Sequence, residues 1–283
     1  MSTILVIGGT GLIGEPVARA LQAAGHDVRI LSRRATEAQT RFGPAFDLRA
    51  GDAEDPRTLA AALFGCDGVH ISLDGGRDPD LERRAVVQVA SAARELGVKR
   101  ITYLSGATVD PRNAWFAGTR AKLDAEAALR ESVVAHTIFK ATFFMEALPR
   151  YVRSGRATVI GAQPLPWRWV AADDFGRMVA RTFETPAAAG RTLTIAGPEA
   201  LTLRAALERY VAIVHPGLKV GGLPFWAAGL LATFSPQSEL ATRLPFLRYT
   251  ERVGECGDPA DANALLGAPR TTLDAWARAR ATA

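Results

Sequence analysis

The sequence predicts an α/β fold, a doubly wound parallel sheet followed by a smaller C-terminal α/β lobe. Two observations predict the sheet. Apolar strands alternate with amphipathic helices from the N-terminus to about residue 140, a rhythm that calls for parallel strands covered by helices on both faces. The first strand, Ile4-Leu5-Val6-Ile7, runs straight into Gly8-Gly9-Thr10-Gly11-Leu12-Ile13-Gly14, a glycine turn between a buried strand and a helix. The lobe rests on a third observation: beyond residue 140 the segments shorten, and Pro- and Gly-rich turns separate them. The expected division is 1–142 for the sheet, with 170–190 returning to it, and 143–283 for the lobe.

The first helix places Ile13, Val17, Leu21 and Ala24 on one face. Gly25 ends it. Strand two, 27–32, alternates and stops at Arg33-Arg34, and a short strand three at 45–50 closes on Gly51-Asp52. Asp55-Pro56 opens a helix, since proline at the first helical position forfeits no hydrogen bond; Leu59, Ala62 and Leu63 are its apolar residues. Gly65-Cys66-Asp67-Gly68 turns the chain into strand four, 69–73. A helix over 80–96 turns Leu81, Val86, Val89, Ala93 and Leu96 inward, and Gly97 caps it. Strand five covers 98–104 and ends in Ser105-Gly106. A loop with Pro111, Trp115 and Phe116 then leads to a helix over 117–131 and strand six at 133–139. In the lobe, short strands are expected at 157–160 and 193–196, a helix at 173–184 that returns to the sheet, and mainly helix with several breakers from Leu201 onward.

Composition narrows the function classes. The 283 residues are 48% hydrophobic and 22% charged, which excludes a disordered chain. Cys66 and Cys256 lie far apart without metal-ligand neighbours, so they form neither a zinc nor a redox motif and fit a reducing compartment. His26, His70, His136 and His215 have no second ligand at metal spacing, so no metal is expected, and no Gly-x-Ser-x-Gly elbow occurs. The N-terminus enters a strand at once, without a basic leader. The longest apolar run, 223–234, falls short of the roughly 20 residues of a spanning helix. The expected location is the cytoplasm, with no stable membrane insertion. Net charge is +5, but the basic residues are scattered and nearly all Arg, with no basic run interleaved with aromatics; nucleic acid is not an expected partner.

A glycine turn at a strand end lets backbone approach a pyrophosphate, and the following helix offers free N–H groups and a positive dipole end. Gly8, Thr10, Gly11, Leu12 and Ile13 are therefore expected to hold a dinucleotide, and Gly14 to let the helix pack on the strand. Roughly 20 residues on, an NAD(H) site holds an acid for the ribose 2′-hydroxyl. This chain has Ser32, Arg33 and Arg34 there, and its nearest acid is Glu37. Two guanidiniums suit a 2′-phosphate by forked, charge-assisted bonds, so NADP(H) is expected in preference to NAD(H); otherwise both are solvated loop arginines. Ser72 and Leu73 end strand four and either line the cofactor ribose or belong to the core. Ser105 ends strand five on the ligand side of such a sheet, placed to bond a substrate carbonyl or else a strand-end hydroxyl satisfied by the backbone. Trp115 and Phe116 stack on a flat substrate or plug the core. Phe143, Phe144 and Met145 take the same reading on the far side of the cofactor. Lys122 is expected to face the cofactor, holding ribose hydroxyls or relaying a proton; its alternative is a surface pair with Glu126 at i, i+4.

Taken in order, the glycine turn, Val28-Arg29-Ile30-Leu31-Ser32-Arg33, Gly51-Asp52 with Leu63-Phe64-Gly65-Cys66-Asp67, and Tyr103-Leu104-Ser105-Gly106 resemble one superfamily. Lys122 with Glu126, the run from Thr137 to Glu146, and Val170-Ala171-Ala172-Asp173-Asp174 extend the likeness. It is the short-chain dehydrogenase/reductase superfamily, in its atypical, NmrA-like branch. The likeness is good to about residue 200 and poor after it. It implies a Rossmann-type fold and either an NAD(P)H-dependent reductase of quinones or phenylpropanoids or a non-catalytic cofactor sensor. It also implies that Asp52, beside Ala53, meets the adenine amino group, the alternative being a turn carboxylate with a helix-start role, and that Ala141, Thr142 and Phe143 approach the nicotinamide end. Two departures stand out. Active classical and extended members carry Tyr-x-x-x-Lys, and four positions before Lys122 this chain has Gly118. Where the family usually reads Arg-Pro-Gly, this chain reads Lys140-Ala141-Thr142.

The expected function is NADPH-dependent reduction of a small apolar carbonyl, enone or quinone, with Lys122 and Ser105 as catalytic residues and a small molecule as substrate. The missing tyrosine keeps a second class open, an NADP(H) sensor that engages a protein partner without turnover. A nucleotide-sugar epimerase ranks third, because its chemistry leans on the same tyrosine.

Overall fold

Seven parallel strands form the sheet that carries the candidate site. The computed structural model describes residues 1–235 and 237–281. In chain order it runs β1 (Thr3–Ile7), α1 (Gly14–Ala23), β2 (Asp27–Ser32), α2 (Ala35–Phe42), β3 (Asp47–Ala50), α3 (Pro56–Leu63), β4 (Gly68–Ile71), α4 (Leu81–Glu95), β5 (Arg100–Gly106), α5 (Ala117–Glu131) and β6 (Ala135–Ala141). There follow β7 (Val152–Arg153), β8 (Arg156–Ile160), β9 (Pro166–Trp169), α6 (Ala172–Glu184), β10 (Arg191–Ile195), β11 (Glu199–Thr202) and α7 (Leu203–Val214). The chain ends with β12 (Val220–Leu223), α8 (Phe225–Phe234), α9 (Glu239–Thr250), α10 (Ala260–Leu266) and α11 (Leu273–Ala281).

The chain forms two compact units. The first comprises Met1–Ala141, Ala172–Ile195 and Asp258–Ala268. Its sheet order is β10-β6-β5-β4-β1-β2-β3, with every neighbouring pair parallel. The winding direction reverses between β1 and β4, so the carbonyl ends of all seven strands lie along one edge, with the reversal at its centre. Strands buried on both faces read as continuous apolar runs, and Ile4, Leu5, Val6 and Ile7 are all interior. On one face Leu59 and Leu63 of α3, Val86 and Val89 of α4, and Leu129 of α5 form a core with Ile71 and Ile101. Helices α1 and α6 pack together closely elsewhere in this unit: a Cβ at Gly176 would stand 2.8 Å from the Pro16 carbonyl oxygen.

The second unit comprises Thr142–Ala171, Ala196–Gly257 and the segment from Pro269. It holds the three-stranded sheet β12-β8-β7 and the antiparallel pair β11-β9. Its core gathers Met145, Leu148, Val159, Trp167, Trp169, Leu207 and Trp276.

Some elements depart from the sequence pattern. Helix α2 is unanticipated because its polar sequence buries only Ala38 and Phe42. Strand three begins at Asp47 rather than 45, and strand four ends at Ile71 rather than 73. Strands five and six each start and end later than expected, because Val98 and Val134 are buried in the connections that lead into them. Ala24 is an exposed C-cap, not part of α1's inward face. The segment expected as a lobe strand at 193–196 is β10, paired in parallel with β6. Residues 258–268, expected in the lobe, belong to the first unit.

Candidate functional site

The glycine turn separates what the fold requires from what it leaves open. Gly8 has φ +81°, and a Cβ there would lie 2.1 Å from the Ser72 carbonyl oxygen. A Cβ at Gly14 would lie 2.1 Å from the Gly8 carbonyl oxygen. Both positions admit nothing larger than glycine. At Gly11 a Cβ meets only the Gly8 oxygen, at 3.1 Å, and the residue is exposed. The space beside Gly11 is therefore open. Helix α1 starts at once, with Ile13 as N-cap and no side chain bonded to its first turn, an arrangement that suits an anion. Thr10 and Leu12 lie on the same open rim.

An acid in that first turn, Glu15, works against an anion. Arg19 and Arg41 neutralise it at 2.8 and 3.2 Å. Arg41 also donates to the Thr10 carbonyl at 2.7 Å, so a guanidinium sits on the glycine turn itself. The sequence reading missed Arg41 together with α2. The available signal was Glu15, a charge that an anion-binding helix end needs balanced.

At the end of β2, Ser32 is buried; its hydroxyl accepts the Arg34 N–H at 3.1 Å and its carbonyl the Gly51 N–H at 3.1 Å. Arg33 and Arg34 extend outward, their side chains 77% and 80% exposed. Each has one long ion pair, Arg33 with Asp52 at 3.9 Å and Arg34 with Glu37 at 3.5 Å, contacts weak enough to yield to a better anion. Asp52 builds its own turn, accepting the Glu54 N–H at 3.0 Å, while its carbonyl accepts the Thr58 hydroxyl at 3.1 Å. Ala53 beside it is buried. The Ser72 N–H donates to the Ile7 carbonyl at 2.9 Å, and Leu73 packs against the core under α3 and α4. An open cradle, an uncapped helix N-terminus and two loosely held guanidiniums at adjacent strand ends fit a dinucleotide with an extra phosphate.

Lys122 does not pair with Glu126. Its Nζ donates to Oε1 of Glu82 at 2.5 Å and lies 5.7 Å from the centre of the Tyr103 ring. Glu82, in the first turn of α4 and 4% exposed, also accepts the Tyr103 hydroxyl at 2.7 Å. A buried carboxylate thus faces one ammonium and one phenol. Burial first, then the Glu82 charge, pushes the Tyr103 hydroxyl well above the ordinary tyrosine range, so it remains a donor. Glu82 escaped the sequence reading, and Tyr103 entered it only within the stretch Tyr103 to Gly106; the signal for Glu82 was an acid one residue after Leu81, i, i+4 from Val86 on the buried face of α4.

A second buried carboxylate, Glu126, accepts the Ser105 hydroxyl at 2.7 Å and pairs with Arg130 at 2.8 Å and Lys140 at 3.6 Å. This corrects the expectation for Ser105. Its hydroxyl is buried and donates its hydrogen bond to Glu126, so it ties β5 to α5 rather than presenting to a substrate carbonyl. Where the tyrosine of Tyr-x-x-x-Lys would begin, a Cβ at Gly118 would lie 3.0 Å from the Phe116 ring. That ring lies against the position. Trp115, edge-on to Phe116 at 6.4 Å, is 62% exposed.

Ala141 ends β6, its carbonyl accepting the Ala107 N–H at 2.8 Å. The residues after it belong to the second unit. The Thr142 hydroxyl donates to the Arg168 carbonyl at 2.5 Å. Phe143 stacks on Trp169 with ring centres 5.5 Å apart and meets Trp167 edge-on at 4.4 Å. Phe144 is buried, and Met145 is wholly interior to the second unit's core. Met145 is thus a core residue, which corrects its expected place beside a substrate.

Among the described residues there is no cluster of side chains able to hold a metal ion, and no helix long and apolar enough to cross a membrane. The parallel sheet, the glycine cradle at its winding reversal and the basic strand end define the class of Rossmann-type dinucleotide-binding proteins. A family model described as NAD(P)H-binding matches residues 8–185. The chain belongs to this NAD(P)H-binding family.

Among curated proteins it is 32% identical over 223 residues to an NAD(P)H azoreductase of Xenophilus azovorans, covering 74% of this chain and 77% of that protein. It is 31% identical over 254 residues to a (4-alkanoyl-5-oxo-2,5-dihydrofuran-3-yl)methyl phosphate reductase of Streptomyces griseus, covering 88% and 86%. Among solved structures, the Citrobacter triphenylmethane reductase complexed with NADP(H) superposes with a TM-score of 0.77 over 98% of this chain and 99% of that one, at 18% identity.

Proposed function

We propose that the protein reduces a small apolar carbonyl, enone or quinone at the expense of NADPH. The carrying observation is the Glu82–Lys122 pair. It fixes a cation in helices that follow β4 and β5, on the edge of an open α/β sheet where ligands bind. Both curated relatives described above are reductases and span most of the chain. NADPH supplies the hydride when bound. The chain's residues supply position and charge. Gly8, Thr10, Gly11, Leu12 and Ile13 hold the pyrophosphate, Arg33 and Arg34 the 2′-phosphate, and Asp52 with Ala53 the adenine. Ser32, Ser72 and Leu73 shape the ribose contacts by backbone, and Ala141 borders the nicotinamide end. Lys122 holds ribose hydroxyls and polarises the substrate oxygen; Trp115 and Phe116 border a flat substrate.

A second reading, an NADP(H) sensor without turnover, is supported by the Phe116 ring against Gly118, where the superfamily's proton donor would start. Incubation with NADPH and a panel of quinones, enones and azo dyes separates the two. The expected result is steady loss of NADPH absorbance with at least one of them. Tight NADPH binding with no loss across the panel favours the sensor.

A further inference from the structure

Helix α8 is built the wrong way round for a helix that needs no partner. Its ten residues contain no charge, and Ala228 alone among them is buried. The large side chains face outward: Trp226 is 75% exposed, Leu230 55%, Leu231 52% and Phe234 79%. Trp226, Leu230 and Phe234 recur at i, i+4 and i+8, with Ala227 and Leu231 alongside. They make an apolar stripe roughly 140° wide and about 12 Å long. Helices of globular proteins ordinarily bury the large apolar residues and expose polar ones. Small-molecule sites are concave, whereas this stripe is a convex ridge, so its complement is an extended surface.

Charge selects which surface. The second unit holds thirteen Lys and Arg against seven Asp and Glu, a net of +6; the first holds twenty-one against twenty-two. A second copy would set one +6 unit against another. An anionic lipid headgroup layer attracts it. The bases also border the stripe. Arg153 pairs with Glu239, which opens α9 just beyond the C-terminal end of α8, and Arg150 and Arg156 flank it in and beside the β7–β8 hairpin, all three exposed. At the other end the exposed Arg248 lies over the Phe225 ring, 5.7 Å from its centre. Tryptophan and phenylalanine with long basic side chains beside them suit the headgroup boundary, the rings dipping in and the charges reaching back to phosphate.

We propose that α8 and the basic β7–β8 hairpin dock the second unit peripherally on an anionic lipid surface. The test is co-sedimentation of the full chain with vesicles of phosphatidylcholine alone and of phosphatidylcholine with phosphatidylglycerol. Binding is expected on the anionic vesicles only and is lost at high salt. Two variants, W226S/L230S/F234S and R150E/R156E, are each expected to weaken it at least about 10-fold while keeping the wild-type thermal melt. The second variant lies outside the helix and keeps the test valid where the first fails to fold. Failure to bind anionic vesicles overturns the proposal, as does binding that both variants retain. So does a wild-type dimer that the triple variant converts to monomer, since a second copy then covers the stripe.

Discussion

At the carbonyl ends of β1, β2 and β3 the site is made of backbone: Gly8 at φ +81°, the uncapped start of α1, and a Ser32 carbonyl bonded to Gly51. At the ends of β4, β5 and β6 it is made of buried side chains: Glu82 between Lys122 and Tyr103, Glu126 among Ser105, Arg130 and Lys140. The first region is fixed by sterics. The second is fixed by charge balance, and removing one member leaves a buried carboxylate with fewer partners, at a cost of about 1.5–3 kcal/mol. In the first region, then, ligand binding and stability can be altered separately. In the second they are linked, and a loss of activity must be read beside a measurement of stability.

The largest expected effect tests the first half of that statement. Gly11→Val is expected to abolish NADPH binding, at least about 100-fold in affinity, while the melting temperature stays near wild type, because only the Gly8 oxygen at 3.1 Å opposes a Cβ there. Gly8→Ala is the contrast. With a positive φ and a carbonyl oxygen 2.1 Å from the new Cβ, it is expected to cost more than about 3 kcal/mol of stability. Calorimetry with NADPH and thermal melts on both variants decide. A Gly11→Val protein that binds NADPH like the wild type removes the cradle from the site.

Next in size is the double change Arg33→Ala/Arg34→Ala. Charge-assisted bonds contribute about 1.5–3 kcal/mol each, and less for groups as exposed as these. NADPH affinity is expected to fall about 100-fold and NADH affinity by less than about 3-fold. Stability should not move, since both present ion pairs are long and solvated. Equal losses for the two cofactors would remove the 2′-phosphate assignment.

How much of this was legible follows the same division. Strand, glycine turn and helix are local, so the residues from Ile4 to Gly14 carry their own geometry, and Asp27–Ser32 and Ala117–Glu131 fall where the pattern puts them. Lys122 was legible as unusual, but not its partner. Glu82 lies 40 residues away, and nothing in an i, i+4 reading favours it over Glu126. Ser105 failed for the same reason: a hydroxyl at a strand end looks available until the fold brings Glu126 to 2.7 Å. Met145 failed because one stretch of aromatics and Met looks alike whether it faces a ligand or the second unit's core.

Lys122→Ala sharpens the second half of the comparison. It leaves Glu82 buried with the Tyr103 phenol as its remaining bonded partner, and because the lysine is itself a quarter exposed the cost is expected to be about 2–3 kcal/mol, below the range for a fully buried pair. Turnover per folded molecule is expected to fall about 100-fold, the size of effect that misplacing a reacting group produces. Glu82→Gln keeps the shape and removes the charge. It should lower kcat about 10-fold with little change in NADPH affinity. If both variants lose stability yet keep their kcat, the pair is structural and the sensor reading gains.

The smallest effect on rate is expected at Ser105. Its hydroxyl is buried and donates to Glu126, so Ser105→Ala removes one of three partners of that carboxylate while Arg130 and Lys140 remain. A hydrogen bond to a charged group contributes about 1.5–3 kcal/mol, and with two cations still in place the loss should sit at the lower end. Turnover is expected to stay within about 2-fold of wild type, because a hydroxyl engaged with Glu126 does not donate to a substrate. Urea midpoints and kcat on this one variant separate the two roles the sequence left open. A stability loss with intact turnover makes Ser105 the tie between β5 and α5. Intact stability with turnover down about 100-fold would mean that the hydroxyl leaves Glu126 when substrate arrives. That outcome would make the β4–β6 side of the site as open to a ligand as the glycine turn.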